Sequence, residues 1–396
     1  MLGRPAHWVC APFARPSPPP TKGSTVTVRR QAGLTAALMM AATGWLLAGC
    51  TPVVQGTPLS PSPSRSSATG EVPAGGPARD AGDAFAVIGD VPYGEEQVAA
   101  FPSWIDQIND GSPELAFHLG DIKDGSSRCD DAYYRLVRAD FDRFAGALIY
   151  TPGDNEWADC HPSANGRYQP LERLAFARSV FFDRPGTSLG QAPVTVSSEV
   201  RAGFPENVQL RRRGIDFAAL HVVGSNDGLQ PWTGLGLSSA TPEQVAEERA
   251  RMANVIEVVR ATFATARARE DRAVVLMQQA NMFASPAQDD ISAFKPLVQT
   301  IVAEASTFPG QVYLFNGDSH TYETDRPLAA GSSWLATYGI TGSAGNLTRV
   351  TVDGSSNNKD WLKVTVNPPG AQDVLSWQRV PYTRRPTDRV QRRTLG

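Results

Sequence analysis

Cysteine is scarce. Only Cys10, Cys50, Cys129 and Cys160 occur in 396 residues. That is too few for a disulfide scaffold, and no Cys-x-x-Cys pair points to a zinc ribbon. Strong net charge is missing too. The formal charge is −3 and the pI about 6.0, which excludes nucleic-acid binding through bulk positive charge. No internal repeat is visible. What the chain does have is 41% hydrophobic and 19% charged residues, enough to bury a real core over most of its length. The length fits two or three ordinary domains, or one large α/β domain with tails.

Acidic residues are absent from positions 1–49, which carry Arg4, Arg15, Lys22, Arg29 and Arg30. An apolar run from Ala32 to Ala48 follows Arg29-Arg30. A charged segment, a short apolar segment and small residues make a secretory signal. Its end, Leu47-Ala48-Gly49-Cys50, resembles a bacterial lipobox, with Cys50 as the lipidated first residue of the mature chain. The alternative is a single membrane-spanning helix, for which the run is marginal. Residues 50–81, rich in Pro, Ser and Gly, read as a flexible tether. The expected product is an exported protein, lipid-anchored to the bilayer on its extracytoplasmic face. Losing five positive charges with the signal makes the mature chain more acidic, against a role in binding DNA.

From residue 82 onward, strands and helices alternate. Ala84–Ile88, Leu115–Leu119 and Ala147–Tyr150 read as buried strands, separated by helices over 97–108 and 130–144. Residues 171–182 are helical, and 194–223 alternate as antiparallel strands. Thr241, Pro242 and Gln244 open a helix with a capping box. Strands at 273–277 and 311–315 flank a helix over 291–308, and short strands return over 333–366. This order predicts an α/β fold, a two-sheet sandwich flanked by helices, over residues 82–370. Residues 371–396, polar and Arg-rich, read as a peripheral tail.

Four predicted strands end in one dipeptide: Gly89-Asp90, Gly120-Asp121, Gly153-Asp154 and Gly317-Asp318. Ligands of α/β proteins bind beyond the carboxyl ends of strands, and glycine permits a sharp turn and a close approach there. Four aspartates on one edge repel unless a cation lies between them. A single Gly-Asp is an ordinary turn; Gly82-Asp83, placed before a strand, is the internal control.

With these motifs the sequence resembles the calcineurin-like metallophosphoesterases, including the purple acid phosphatases, over about residues 84 to 325. The resemblance lies in motif order: Ile88-Gly89-Asp90, then His118-Leu119-Gly120-Asp121, Gly153-Asp154-Asn155-Glu156, Met277-Gln278-Gln279 and Gly317-Asp318-Ser319-His320. It implies a two-metal centre in which Asp121 bridges the ions. Asp90, His320 and Asp124 would hold one ion, and Asp154, Asp318 and Gln278 the other. A bridging hydroxide would attack phosphorus in line.

The ligands depart from the family pattern. Pro92 stands where a metal-binding histidine is usual, and Asp124 where the purple-type enzymes have a tyrosine. Asn155 replaces the histidine that assists the leaving group, and an amide is no general acid. Gln278 or Gln279 replaces the fourth-motif histidine, and Asp318 the first histidine of the last motif. The set therefore shifts toward oxygen, which favours Mn²⁺, Mg²⁺ or Ca²⁺ over Zn²⁺ or Fe. His161, in the loop after the third motif, is the candidate substitute acid. Lys123, Arg128 and Arg167 are candidates to meet substrate phosphate; Tyr93 either meets substrate or packs. His118 and His221, inside or at the ends of strands, read as core histidines, and 224–228 as either cleft lining or a turn.

An exported chain meets an oxidising compartment and lipidation consumes Cys50, so Cys129 and Cys160 are expected to pair. Two functions follow: a membrane-anchored metal-dependent phosphoesterase acting on a phosphoester substrate, or a non-catalytic metal- or ligand-binding lipoprotein on the same fold.

Overall fold

Period-two burial builds the core. In a computed structural model, which describes residues 82–383, strand β1 (Gly82–Ile88) sends Phe85 and Val87 to one side and Ala86 and Ile88 to the other. Parallel to it run β2 (Pro113–His118) and β3 (Ala147–Tyr150). The first sheet has the order β12-β11-β1-β2-β3, with β11 (Asp360–Val366) and β12 (Leu375–Pro381) antiparallel.

The second sheet has the order β4-β5-β6-β7-β8-β10-β9. Its parallel centre is β6 (Ile215–Ala219), β7 (Ala273–Met277), β8 (Gln311–Asn316) and β10 (Leu347–Thr351). Antiparallel β4 (Ser197–Glu199) and β5 (Phe204–Arg212) close one side and β9 (Glu323–Asp325) the other.

The sheets pack face to face through Phe85, Phe117, Phe217 and Phe315. Phe85 meets Phe217 edge-on at 5.4 Å between centroids, and Phe117 stacks on Phe217 at 5.6 Å. Each ring fully buried this way contributes roughly 1.5–3 kcal/mol. Helices Gly94–Asp110, Asp131–Phe141 and Pro170–Phe181 cover the outside of the first sheet. Pro242–Ala268 and Lys295–Ala305 cover the second, through Val255, Val259, Phe263, Leu297 and Ile301. The capping box at Thr241 and Gln244 forms. The architecture is the expected α/β two-sheet sandwich flanked by helices.

Three features differ from the sequence expectation; the first is that Ser333–Thr337, where short strands were expected to begin, is a helix capped by Ser332. Leu375–Pro381, placed in a polar tail, is strand β12, paired with β11 from Asp360↔Pro381 to Val366↔Leu375. Its buried Leu375 and partly buried Trp377 were outweighed by the arginines around them. The helix expected over 291–308 is shorter, Lys295–Ala305, with Pro296 in its first turn where a missing N–H costs nothing.

Cys129 and Cys160 form a disulfide, with Cα atoms 5.8 Å apart. It ties the loop after β2 to the loop after β3. The signal, Cys50 and its lipidation, the tether and residues 384–396 lie outside the described residues. Among the described residues no helix is long and apolar enough to cross a membrane.

Candidate metal centre

Parallel strands of both sheets end on one edge, and the chemistry collects there. Asp90 follows β1, Asp121 follows β2, Asp154 follows β3 and Asp318 follows β8. Three of the four aspartates, Asp90, Asp121 and Asp318, have φ of 53°, 55° and 73°. Such left-handed non-glycine positions store strain and gather at functional sites.

Glycines let the carboxylates nest between strand ends. A Cβ on Gly317 would overlap Asp90 Oδ2, one on Gly153 would overlap Asp121 Oδ1, and one on Gly224 would sit 2.6 Å from Asp154 Oδ2. At Gly317 and Gly153 the glycine of one Gly-Asp pair therefore makes room for the aspartate of another, a reason for the dipeptide there that turn chemistry does not supply.

Asp90, Asp121 and His320 each offer a ligand atom within 4.8 Å of the others. His320 Nε2 lies 3.5 Å from Asp90 Oδ1. The Asp318 amide donates to both Asp90 oxygens, at 2.9 and 3.0 Å. Asp121 Oδ2 accepts from Asn155 Nδ2 at 2.8 Å, the Tyr93 hydroxyl at 3.0 Å and Gln279 Nε2 at 3.2 Å. Asp154 Oδ2 accepts from the Ser225 hydroxyl at 2.9 Å, which also lies 3.1 Å from both oxygens of Asp159. Asp318 Oδ2 accepts from the Asn281 amide at 2.8 Å.

Burial and mutual repulsion push these carboxyls up. Asp90, Asp121 and Asp154 lie well above the ordinary carboxylate range, by desolvation first and then by neighbouring acids. Burial raises Asp318 to about 6. The donor set, oxygen-rich with one imidazole, fits a hard divalent cation. A bound cation would relieve the repulsion that the protein alone leaves in place.

Other expected ligands fall elsewhere. Gln278 does not reach the ring: its amide donates to Ala280 O at 2.8 Å. Gln279 does, because β7 alternates. Val274 and Leu276 face the helices, Val275 and Met277 the opposite sheet, so Gln279 continues the inner row. Asp124 is not in the group of three either; its Oδ1 accepts from the Ser126 amide and hydroxyl at 2.8 and 2.6 Å.

The expected substrate cations are committed to other partners. Lys123 is 1% exposed and donates to the carbonyls of Asp124 and Asn155. Arg128 pairs with Asp130 on the surface, and Arg167 donates to Gly234 O. His161 is buried, and its Nδ1 accepts from the Gly234 amide at 3.0 Å. Burial lowers its pKa, against the raising effect of Asp159.

His118 and His221 are core histidines. The first bonds Val91 O at 2.8 Å, the second Glu206 at 2.8 Å. Tyr93 lies at the site, and the 224–228 segment lines it. Ser225, Asn226 and Asp227 form a left-handed turn, with φ of 53°, 55° and 56°, held by the buried Arg251–Asp227 pair at 2.6 Å. Ser225 lies in the 224–228 segment that the sequence marks as cleft lining or a turn; Asn281 carried no sequence signal, since it belongs to no spaced motif.

No family model and no curated protein matches the chain. Among solved structures, it is similar to a dimetal phosphatase of Danio rerio at 11% identity, covering 76% of this chain and 99% of that one, with a TM-score of 0.44. A purple acid phosphatase from yellow lupin seeds shares 12% identity over 75% of this chain, with a TM-score of 0.39. This chain spans about half of it, 51%. GAP50, the anchor in the inner membrane complex of Plasmodium, shares 9% identity over 77% of this chain and 90% of that one, with a TM-score of 0.38.

Proposed function

We propose that this chain is a metal-dependent phosphoesterase of the calcineurin-like kind, exported and lipid-anchored through Cys50. The observation that carries the activity is the Asp90–Asp121–His320 group, three ligand atoms within 4.8 Å, with Asp154 and Asp318 beside it. Bound divalent cations would neutralise phosphoryl oxygens and lower the pKa of a water nucleophile. The chain's own residues hold the ligands. Asn155, Tyr93 and Gln279 fix one oxygen of Asp121, and the Asp318 amide fixes Asp90. The expected cations are Mn²⁺, Mg²⁺ or Ca²⁺, two per chain. With His161 Nδ1 and the Asn155 amide bonded within the protein, the leaving group receives little help. Phosphodiesters and esters with good leaving groups are the favoured substrates.

The disulfide supports export, since such bonds persist in oxidising compartments. Cys50→Ser should lose lipid mass and membrane partition; unchanged values reject the anchor.

A second reading, a non-catalytic metal- or ligand-binding lipoprotein, draws on one observation. The Asn155 amide is spent on Asp121 and on the Tyr93 hydroxyl, at 2.8 and 3.0 Å, rather than on a leaving group. Metal analysis of the purified protein together with hydrolysis of bis-p-nitrophenyl phosphate separates the two. Metal with turnover supports the enzyme; metal without turnover supports the binding protein.

A further inference from the structure

Arg349, on β10, is 1% exposed, yet it belongs to no motif. Its guanidinium is divided between two sides. Toward β9 it donates to Asp325 at 2.7 and 2.8 Å and to Glu323 at 2.7 Å. Toward the strand-end edge, Nη1 donates to Asn281 Oδ1 at 2.6 Å.

Asn281 is itself divided. Its Oδ1 also accepts from the Phe283 amide at 3.0 Å. Its side-chain amide donates to the Ser319 hydroxyl, and its backbone amide donates to Asp318 Oδ2 at 2.8 Å. Ser319 lies between Asp318 and His320. The Asn281 side chain is therefore locked at the oxygen by Arg349 and grips, from the nitrogen, the loop that carries two candidate ligands.

We propose that Arg349 is a positioning residue for the metal centre, acting through Asn281 on the Asp318-Ser319-His320 loop. This rests on the metal-centre reading above. Only a planar fork serves Asn281 and two carboxylates together, so lysine is no equivalent. Outer partners that orient ligands typically control metal affinity by roughly 10–100-fold. Burial of a large cation with acids on one side and an amide on the other also costs desolvation, which a purely structural packing role would avoid with an apolar side chain.

The test titrates Mn²⁺ alone into metal-stripped protein by calorimetry, with Mn²⁺ electron paramagnetic resonance as a second readout. Arg349→Met and Asn281→Ala should each weaken binding by about 10-fold or more. The double variant should be no weaker than Asn281→Ala, as expected for residues acting in series. Arg349→Lys should recover thermal stability but not Mn²⁺ affinity. Arg267→Met, which removes a pair with Glu304 at 2.8 Å far from the site, should lower stability and leave affinity unchanged. Asn281→Ala covers the case in which Arg349→Met does not fold. Wild-type affinity and spectrum in Asn281→Ala, or additive losses in the double variant, overturn the assignment while wild-type binding stands. No Mn²⁺ binding by the wild type overturns the metal centre and this inference together.

Discussion

The two corners of the site are built differently. At one, Asp90, Asp121 and His320 bring three ligand atoms within 4.8 Å. At the other, Asp154 and Asp318 are each held by a donor of their own, Ser225 and the Asn281 amide, and Gln279 is bonded to Asp121 and to the Gly224 amide. The first corner is assembled in advance: Tyr93, Asn155 and Gln279 hold Asp121, the Asp318 amide holds Asp90, and three ligand atoms already converge. At the second, Asp154 and Asp318 join no such group of three among the described residues, so more rearrangement remains when a cation arrives. Preorganised sites bind more tightly because less ordering remains to be done. A first Mn²⁺ should therefore bind tightly at the Asp90 corner and a second more weakly at the Asp154 corner, giving a two-phase titration.

The largest break should come from Asp121→Asn. Asp121 has both oxygens in the site, Oδ1 taking the Asn155 backbone amide at 3.2 Å and Oδ2 the Tyr93, Asn155 and Gln279 donors. Replacing one oxygen by an NH₂ removes the charge and opposes those donors. Both phases should weaken by more than the roughly 10–100-fold that a lost outer partner costs, and any turnover should vanish with them. Asp83→Asn is the matched control. Asp83 is exposed and pairs with Arg213 at the start of β1, the opposite end from the site; its titration should be that of the wild type. Equal titrations for the two variants would reject the bridging role.

The difference between the corners also shows what the sequence reveals. The sandwich was legible, because runs such as Val274–Met277 and the paired Gly-Asp strand ends follow directly from period-two burial and turn chemistry. The first corner was legible for the same reason: Asp90, Asp121 and His320 lie within motifs at strand ends. The second was only half legible. Asp154 and Asp318 stand at strand ends as their motifs predict, but their partners Ser225 and Asn281 are held by a left-handed turn and a buried arginine, neither of which leaves a spacing pattern. Asp124 and Gln278 were misplaced because motif order fixes a loop, not a side-chain direction. For Gln278 the direction was available from strand parity. For Asp124 it depended on a local competition, won by the Ser126 amide and hydroxyl. The β12 strand was missed because an edge strand carries exposed serine, glutamine and arginine and hides only Leu375 and parts of Trp377 and Val380.

A smaller effect tests the second corner by pH. Burial raises Asp318 to about 6 from an ordinary 3.8. A carboxyl raised in the folded state favours folding below its unfolded value, and that contribution is lost as pH rises through the folded value. In chelator, wild type should therefore lose stability relative to Asp318→Asn as pH climbs from about 4 past 6, because only wild type must bury the charge. Both proteins keep the histidines, whose lowered values act in the opposite direction; the variant also eases Asp90 and Asp154, which Asp318 pushes up, and that widens the gap in the same sense. Mn²⁺ should reverse the order at pH 7, stabilising wild type more than the variant. Melting temperatures of both proteins, with chelator and with Mn²⁺, at pH 4.5 and 7.5, check this. A gap between the variants that does not change with pH in chelator would mean Asp318 ionises without penalty.

The smallest expected effect separates two adjacent glutamines. Gln279→Ala removes the Nε2 donor to Asp121 and the acceptor of the Gly224 amide, at 3.2 and 2.7 Å. Gly224 opens the left-handed turn that carries Ser225, so its buried amide would be left without a partner. That costs about 1–3 kcal/mol and loosens the Ser225 contact with Asp154. The weaker Mn²⁺ phase should fall several-fold while the tighter phase shifts little, since Tyr93 and Asn155 still hold Asp121. Gln278→Ala removes a donor to Ala280 O and a side-chain oxygen that has no partner. It should leave both phases unchanged and move stability by less than about 1 kcal/mol. If Gln278→Ala instead weakened the second phase and Gln279→Ala did not, the parity of β7 would not extend past Met277, and the second corner would have to be rebuilt around the other face of that strand.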